Sequence, residues 1–289
     1  MTAPRSGSPT PSARRRGVPA EVAELEIVMA QGWPAPESEP LGQWLLRAAE
    51  GFTSRGNSAL CLGDPGMAPE LAVTATATWY AARALPVVFA LPTDVDGQPY
   101  DGDLVELVTR SGADAAYPTL AMTASVRDLL TGRDRPAGPA GQVSWSPHPD
   151  PAWLAAFGRY RSVPARHTAV ARAILTGSPG QRFYAVIDPT RAEDGEQVLL
   201  ASARVSVHDG WAGVHAMWVD PAHRRRGWAT AIVAALADDL RAGALPDVAA
   251  VYLQVERANT GAVAAYRGMG FTPHHGHVYL HPASAPGHC

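Results

Sequence analysis

Val219-Asp220-Pro221-Ala222-His223-Arg224-Arg225-Arg226-Gly227-Trp228-Ala229-Thr230 reads as a strand stopped by a proline, a tight basic loop and the start of a helix. Trp218 and Val219 favour extended backbone, and Pro221 has no amide to give to a ladder. Ala229, Ile232, Val233, Leu236 and Leu240 then recur at helical spacing, which predicts a helix from about Trp228 to Arg241. Gly227 lets backbone come close to a ligand at the turn. The first amides of that helix lack intrahelical acceptors and sit at the positive end of its dipole. With Arg224, Arg225 and Arg226 raising the local field, the turn is a ready anion site. The plainer reading of the same residues is a basic surface turn.

The loop is too short for a Walker-type phosphate loop and lacks its Lys-Ser/Thr ending. It also lacks the Gly-x-Gly-x-x-Gly dinucleotide pattern. Arg224-x-x-Gly227-x-Ala229 resembles instead the pyrophosphate-binding signature of the GCN5-related N-acetyltransferases, Arg/Gln-x-x-Gly-x-Gly/Ala after a strand ending in Val-x-Pro. A second match follows. Asn259-Thr260-Gly261-Ala262-Val263-Ala264-Ala265-Tyr266-Arg267-Gly268-Met269-Gly270-Phe271 is similar to that family's Asn-x-x-Ala-(aliphatic)-x-x-Tyr-x-x-x-Gly-Phe, with every position filled. The two motifs stand in order, separated by a helix and a strand. The close resemblance runs from about Trp211 to Phe271, and more loosely from Pro151 onward.

What the resemblance implies is an α/β chain of tandem acetyltransferase-like lobes, each a mixed, mostly antiparallel sheet flanked by helices. It implies an acetyl-CoA-dependent N-acetyltransferase acting on an amine by direct transfer, with acetyl-CoA and an amine acceptor as its partners. Backbone groups of Met217 and Val219 would hold the pantetheine arm. Arg224 belongs to the signature, and amides of Arg225, Arg226, Gly227, Trp228, Ala229 and Thr230 would bind the pyrophosphate. Asn259 would contact the cofactor near the thioester, and also suits a helix cap. Tyr266 would protonate the leaving thiolate, although a core tyrosine is its bland alternative.

The base is less defined. Gln254 stands where some family members carry a glutamate, and an amide cannot serve. Regular alternation puts His215 on the same face as Met217 and Val219, and its pKa class suits a base. A half-buried structural histidine is the competing reading. Glu256 is turned away by the same alternation, and a water chain is a third option.

Working outward, 289 residues leave room for two modest domains, and 46% hydrophobic content supports a core. No apolar run reaches spanning length, so no membrane partner is expected. A net charge of −3 gives no general reason to bind nucleic acid. Every basic side chain is arginine. Cys61 and Cys289 form no disulfide framework and suit a reducing, cytoplasmic setting. Oligomeric state, a homodimer included, stays open.

Residues 1–17 read as a disordered tail, and 18–130 as a degenerate first lobe. Val18 to Gly32, Pro69 to Ala84 and Asp103 to Ser111 read as helices. Trp44 to Ala48, Asn57 to Leu62, Pro86 to Leu91 and Thr119 to Thr123 read as strands. Asp64-Pro65-Gly66 is a turn, and no Arg-x-x-Gly-x-Gly/Ala loop occurs in this lobe. Residues 131–150 form a Pro/Gly-rich linker, and 151–289 the catalytic domain. There Asp188 to Glu196 reads as a polar loop and His208-Asp209-Gly210 as a hairpin turn. His274, His275, His277, His281, His288 and Cys289 lack zinc spacing. No metal is expected, and these residues are placed at the substrate mouth or a solvated edge. The rival in another class is a non-catalytic acyl-CoA-binding regulatory module, motivated by Gln254 and the degenerate lobe.

Overall fold

Alternating apolar residues build one sheet that runs through both halves of the chain. The computed structural model describes residues 17–110, 112–129, 143–193 and 196–282. The expected tail, most of the expected linker, His288 and Cys289 lie outside the described residues.

In chain order the first half forms α1 (Ala20–Gly32), β1 (Glu37–Leu41), β2 (Trp44–Ala48), β3 (Ala59–Cys61), α2 (Pro69–Ala81), β4 (Phe89–Thr93), α3 (Gly102–Arg110) and β5 (Ala113–Ser125). The second half forms β6 (Val143–Ser146), α4 (Pro151–Arg161), α5 (Thr168–Thr176), β7 (Arg182–Glu193), β8 (Glu196–His208), β9 (Trp211–Val219), α6 (Trp228–Arg241), β10 (Ala250–Glu256), α7 (Thr260–Gly268) and β11 (Thr272–Pro282).

The sheet order is β1-β2-β3-β4-β11-β5-β10-β9-β8-β7-β6. Two neighbouring pairs are parallel, β3 with β4 and β9 with β10. The order is nearly symmetric about its centre. β11, last in the chain, pairs with β4 of the first half, and β5, last of the first half, pairs with β10 of the second. Each lobe therefore closes the other's sheet. The expected mixed, mostly antiparallel architecture is present, but the two sheets are fused into one.

Helices cover both faces. On one, α6 and α7 bury Ile232, Val233, Leu236, Ala237, Leu240 and Val263 against Val205, Val214, Leu253 and Phe271. Next to them Leu104 and Val108 of α3 pack on Phe89 and Leu91. On the other face, α1 lies across the middle of the molecule. Its Leu25, Val28 and Met29 pack on Ala121 and Tyr252, and its Ala30 packs on Leu60 and Tyr279. Each large apolar side chain fully removed from water contributes about 1.5–3 kcal/mol. Docking α1 on strands from both lobes ties them together.

Three local expectations change. The Asp188 to Glu196 segment is mostly strand: β7 runs to Glu193 and β8 starts at Glu196. Its polar composition hid it, because backbone pairing between two strands needs no apolar residues. Val143–Ser146, inside the expected linker, is an edge strand on β7. The polar β1, with Pro40, is an added edge strand on β2; an edge tolerates both charge and proline. The His208-Asp209-Gly210 hairpin stands, with positive φ at Asp209 (47°) and Gly210 (80°).

Candidate active site

β9 and β10 run parallel and paired from Trp211↔Ala250 to Val214↔Leu253, and the pairing stops there. Beyond that point β9 stays with β8 up to Val219↔Ala201, while β10 stays with β5 up to Glu256↔Thr119. The strands part like a fork. The backbone of residues 215–219 has no β10 partner on its inner side, so the fork can accept an extended amide-bearing chain as a further strand.

A β-bulge sits at the mouth of the fork. Ala216 has φ 49°, and the register slips between Arg204↔His215 and Ser202↔Trp218. A bulge takes backbone groups out of the ladder and re-aims side chains. It corrects one expectation here. Met217 and Val219 pack with Val214 on the α6 side. His215 projects to the opposite face, beside Trp33, Ser206 and Tyr252. The extra residue reverses the alternation on which the same-face reading relied.

Below the fork lies the basic loop. Gly227 has φ 82° and is the N-cap of α6, with no side chain capping the helix. Arg225 is also in the left-handed region, at φ 61°. Arg224, Arg225 and Arg226 are exposed, and among the described residues none pairs with a carboxylate. The first turn of α6 contains no acidic residue. Uncapped amides, a positive dipole end and three unpaired cations together fit an anion. Trp228 turns its indole into the core, where the ring N–H has no partner.

On α7, Asn259 accepts from the Ala262 amide at 3.2 Å, so its capping role is realised. The helix ends with Phe271 N donating to Tyr266 O and Gly270 N to Arg267 O, with Gly270 at φ 97°. A side chain at Gly270 would meet the Asp128 carbonyl at 2.5 Å. Tyr266 is half-buried, edge-on to Phe271 at 5.9 Å. Burial pushes its phenol up, so it stays protonated at neutral pH. Among the described residues its hydroxyl has no hydrogen-bond partner.

The opposite face carries a polar nest that sequence reasoning missed. His215 is buried and accepts from Arg55 Nη1 through Nδ1 at 3.4 Å. A guanidinium can only donate, so Nε2 carries the hydrogen and donates to Ser206 Oγ at 3.0 Å. Burial, then the charges of Arg204 and Arg55, hold the His215 pKa well below the usual value. Arg204 donates to the Gly32 carbonyl at 2.7 Å, and burial draws its pKa to about 10. His275 approaches Glu26 at 3.0 Å and His277 at 3.5 Å. Burial alone would raise the Glu26 pKa, but the His275 hydrogen bond and the adjacent His277 ring outweigh it and hold the carboxylate ionised. His275 and His277 are thus interior residues, not a solvated edge. Among the described residues no three of His, Cys, Asp and Glu converge as metal ligands. Alternation from Tyr252 and Gln254 puts Glu256 on this same face, at its exposed end.

The first lobe repeats the frame without the chemistry. Its loop Gly63-Asp64-Pro65-Gly66-Met67-Ala68 has Gly66 at φ 77° but no cation. The Asp64 amide donates to Gln43 and the Gly66 amide to the Asp64 side chain. Those donors are spent within the lobe.

The family model described as "Probable histone acetyltransferase Rv0428c C-terminal" matches residues 19–280. The chain belongs to the GCN5-related N-acetyltransferase family. It is 26% identical to the uncharacterized N-acetyltransferase YobR of Bacillus subtilis, over 90% of this chain and 98% of that one. It is 31% identical to the probable histone acetyltransferase Rv0428c of Mycobacterium tuberculosis, over 64% of this chain and 58% of that protein. A solved GCN5-related N-acetyltransferase from Kribbella flavida shares the fold at TM-score 0.57 and 17% identity, covering 91% of this chain and 96% of its own. In this N-acetyltransferase family member the fork, the arginine-rich loop and Tyr266 all lie in the second half of the chain. No helix among the described residues is long and apolar enough to cross a membrane.

Glu26 and Tyr252 lie in no motif, and Arg55 lies in Gly51-Phe52-Thr53-Ser54-Arg55-Gly56-Asn57-Ser58, a stretch similar to the first lobe of two-lobed family members that carried no assigned role. Each of the three meets its partners across the fused sheet. Arg55 and His215 are 160 positions apart.

Proposed function

We propose that the chain moves the acetyl group of acetyl-CoA to a primary amine by direct attack within a ternary complex. The observation that carries this reading is the fork between β9 and β10 opening above an uncapped, arginine-flanked helix N-terminus. Acetyl-CoA supplies an activated thioester. Backbone groups of Met217 and Val219 hold its pantetheine arm, amides from Arg225 to Thr230 hold the pyrophosphate, and Asn259 lies beside the arm. Backbone freed by the bulge at Ala216 offers the donor that a developing oxyanion needs.

The amine nitrogen forms a bond to the carbonyl carbon, the carbon–sulfur bond breaks, and the amine loses a proton. Tyr266, protonated and unpaired, gives its proton to the thiolate. His215 is held neutral, as a base must be, but in this resting arrangement its lone pair accepts from Arg55. Glu256 on the same face, or a water, is the alternative acceptor of that proton.

Thiol release from acetyl-CoA in the presence of a panel of amines tests the reading. Turnover in the native protein that collapses in Tyr266→Phe supports it. Acetyl-CoA binding with no turnover on any amine would leave a non-catalytic acyl-CoA module instead.

A further inference from the structure

A small cavity lies on the α1 face where β10 leaves β9. Glu26, Arg47, Arg55, Gln254, His277 and Tyr279 contribute to its wall. Gln254 is the first residue past the last β9–β10 pair, so the cavity abuts the mouth of the fork. It has room for about one water-sized group.

The charges around it do not balance. Arg55, on the single turn Ser54–Gly56, reaches over the Trp33 ring at 5.2 Å and touches His215. Among the described residues no carboxylate pairs with it. Arg47 is buried and spends Nε and Nη2 on Ser58, a neutral partner, at 3.2 and 2.8 Å. The one carboxylate on the wall, Glu26, is already claimed by His275 and His277. Two guanidiniums therefore face a cavity whose single anion is engaged elsewhere. Holding a cation partly withdrawn from water without a counter-ion is costly, and burial, then the positive charges of Arg161 and Arg47, lower the Arg55 pKa.

We propose that Arg55, backed by Arg47, is the subsite for a carboxylate carried by the amine acceptor. This rests on the acetyl-transfer reading above. The planar guanidinium fork matches a carboxylate with two parallel hydrogen bonds. The cavity seats about one carboxylate oxygen, so the other oxygen and the rest of the acceptor extend toward the fork, where its amine meets the thioester. Recognition also acts on His215. A carboxylate that draws Arg55 to itself releases the Nδ1 lone pair, which then faces the incoming amine as an acceptor for its proton. Arg55 is on this account a specificity and positioning residue.

The test uses glycine, β-alanine and 4-aminobutyrate, each beside its amide, with the full chain and a saturating acetyl-CoA or CoA concentration. Binding is read by calorimetry and thermal shift, and turnover by thiol release. At least one carboxylate form is expected to bind about tenfold or more tightly than its amide. Arg55→Gln is expected to abolish that preference while leaving acetyl-CoA affinity unchanged, and Arg55→Lys to keep part of it. Without ligand, Arg55→Gln should melt no lower than the native protein, because it removes an uncompensated charge; a purely structural arginine would lower the melting temperature. No preference for any carboxylate over its amide, or a preference that survives Arg55→Gln, overturns the subsite. Acetyl-CoA calorimetry on the same samples separates the two failures. A protein that binds acetyl-CoA yet shows no preference loses the subsite alone, and one that binds no acetyl-CoA loses the transfer reading as well.

Discussion

Val108 in the first lobe stands where Tyr266 stands in the second. Each follows a helix N-cap at the same spacing: Asp101, whose side chain accepts from Leu104 N at 3.0 Å, and Asn259, which accepts from Ala262 N at 3.2 Å. Each also precedes a left-handed glycine at the same spacing, Gly112 at φ 86° and Gly270 at φ 97°. The two lobes keep the helix and its ends but differ in the residue that could give up a proton. Val108 is core, and the loop of that lobe has no cation. The first lobe keeps the fold, and its α1 and Arg55 reach residues of the second.

Tyr266→Phe should lower kcat about 10²–10⁴-fold, the usual contribution of a positioned acid. Acetyl-CoA affinity should stay within about twofold, because the ring and its contact with Phe271 survive. Steady-state kinetics beside calorimetry checks both. A drop in affinity with unchanged kcat would make Tyr266 a packing residue.

Gly32→Ala should destabilise the fold by about 1–3 kcal/mol through overpacking. A Cβ there would lie 2.2 Å from the Tyr252 hydroxyl and 2.9 Å from His215 Nε2. Activity should fall further than stability, since the clash displaces the His215 nest. Denaturant unfolding and thiol release measure the two separately. No change in either would mean that α1 docks more loosely than its contacts indicate.

Stability should fall in acid through Glu26. Its folded pKa lies below its unfolded one, so its contribution is complete above about 4.3, the ordinary glutamate value, and is lost as pH drops toward the folded value. Glu26→Gln should cost about 3–5 kcal/mol near neutrality, as for a broken buried pair, with the gap to native narrowing in acid. Thermal melts across that range test the sign. A gap that widens on acidification would contradict the pairing.

The basic loop, the strand before it and the helices α6 and α7 were legible because local rules govern them: a proline stop, a glycine cap and a period of apolar residues. Asn259 and Gly270 declared their capping roles in the same way. His215 was misoriented because one extra residue at Ala216 reverses alternation, and a bulge leaves no mark in composition. Fusion of the two sheets was also hidden. Which strand fills a gap depends on partners far apart in the chain, as with Leu120 of β5 beside Val255 of β10. Glu26, His275 and His277 converge for the same reason, so their pairing could be seen only once α1 was placed on β11's neighbours.

The most direct measurement is calorimetry of acetyl-CoA with the native chain and with Gly227→Glu. Gly227 holds φ 82° at the uncapped start of α6, and a glutamate there puts both strain and a negative charge where the pyrophosphate would sit. The account predicts binding in about the micromolar range, lost in the variant while the strain at Gly227 lowers the melting temperature by only a few degrees at about 1–3 kcal/mol. A native protein that binds no acetyl-CoA, or a variant that binds it as well as native, would contradict the loop as the cofactor site.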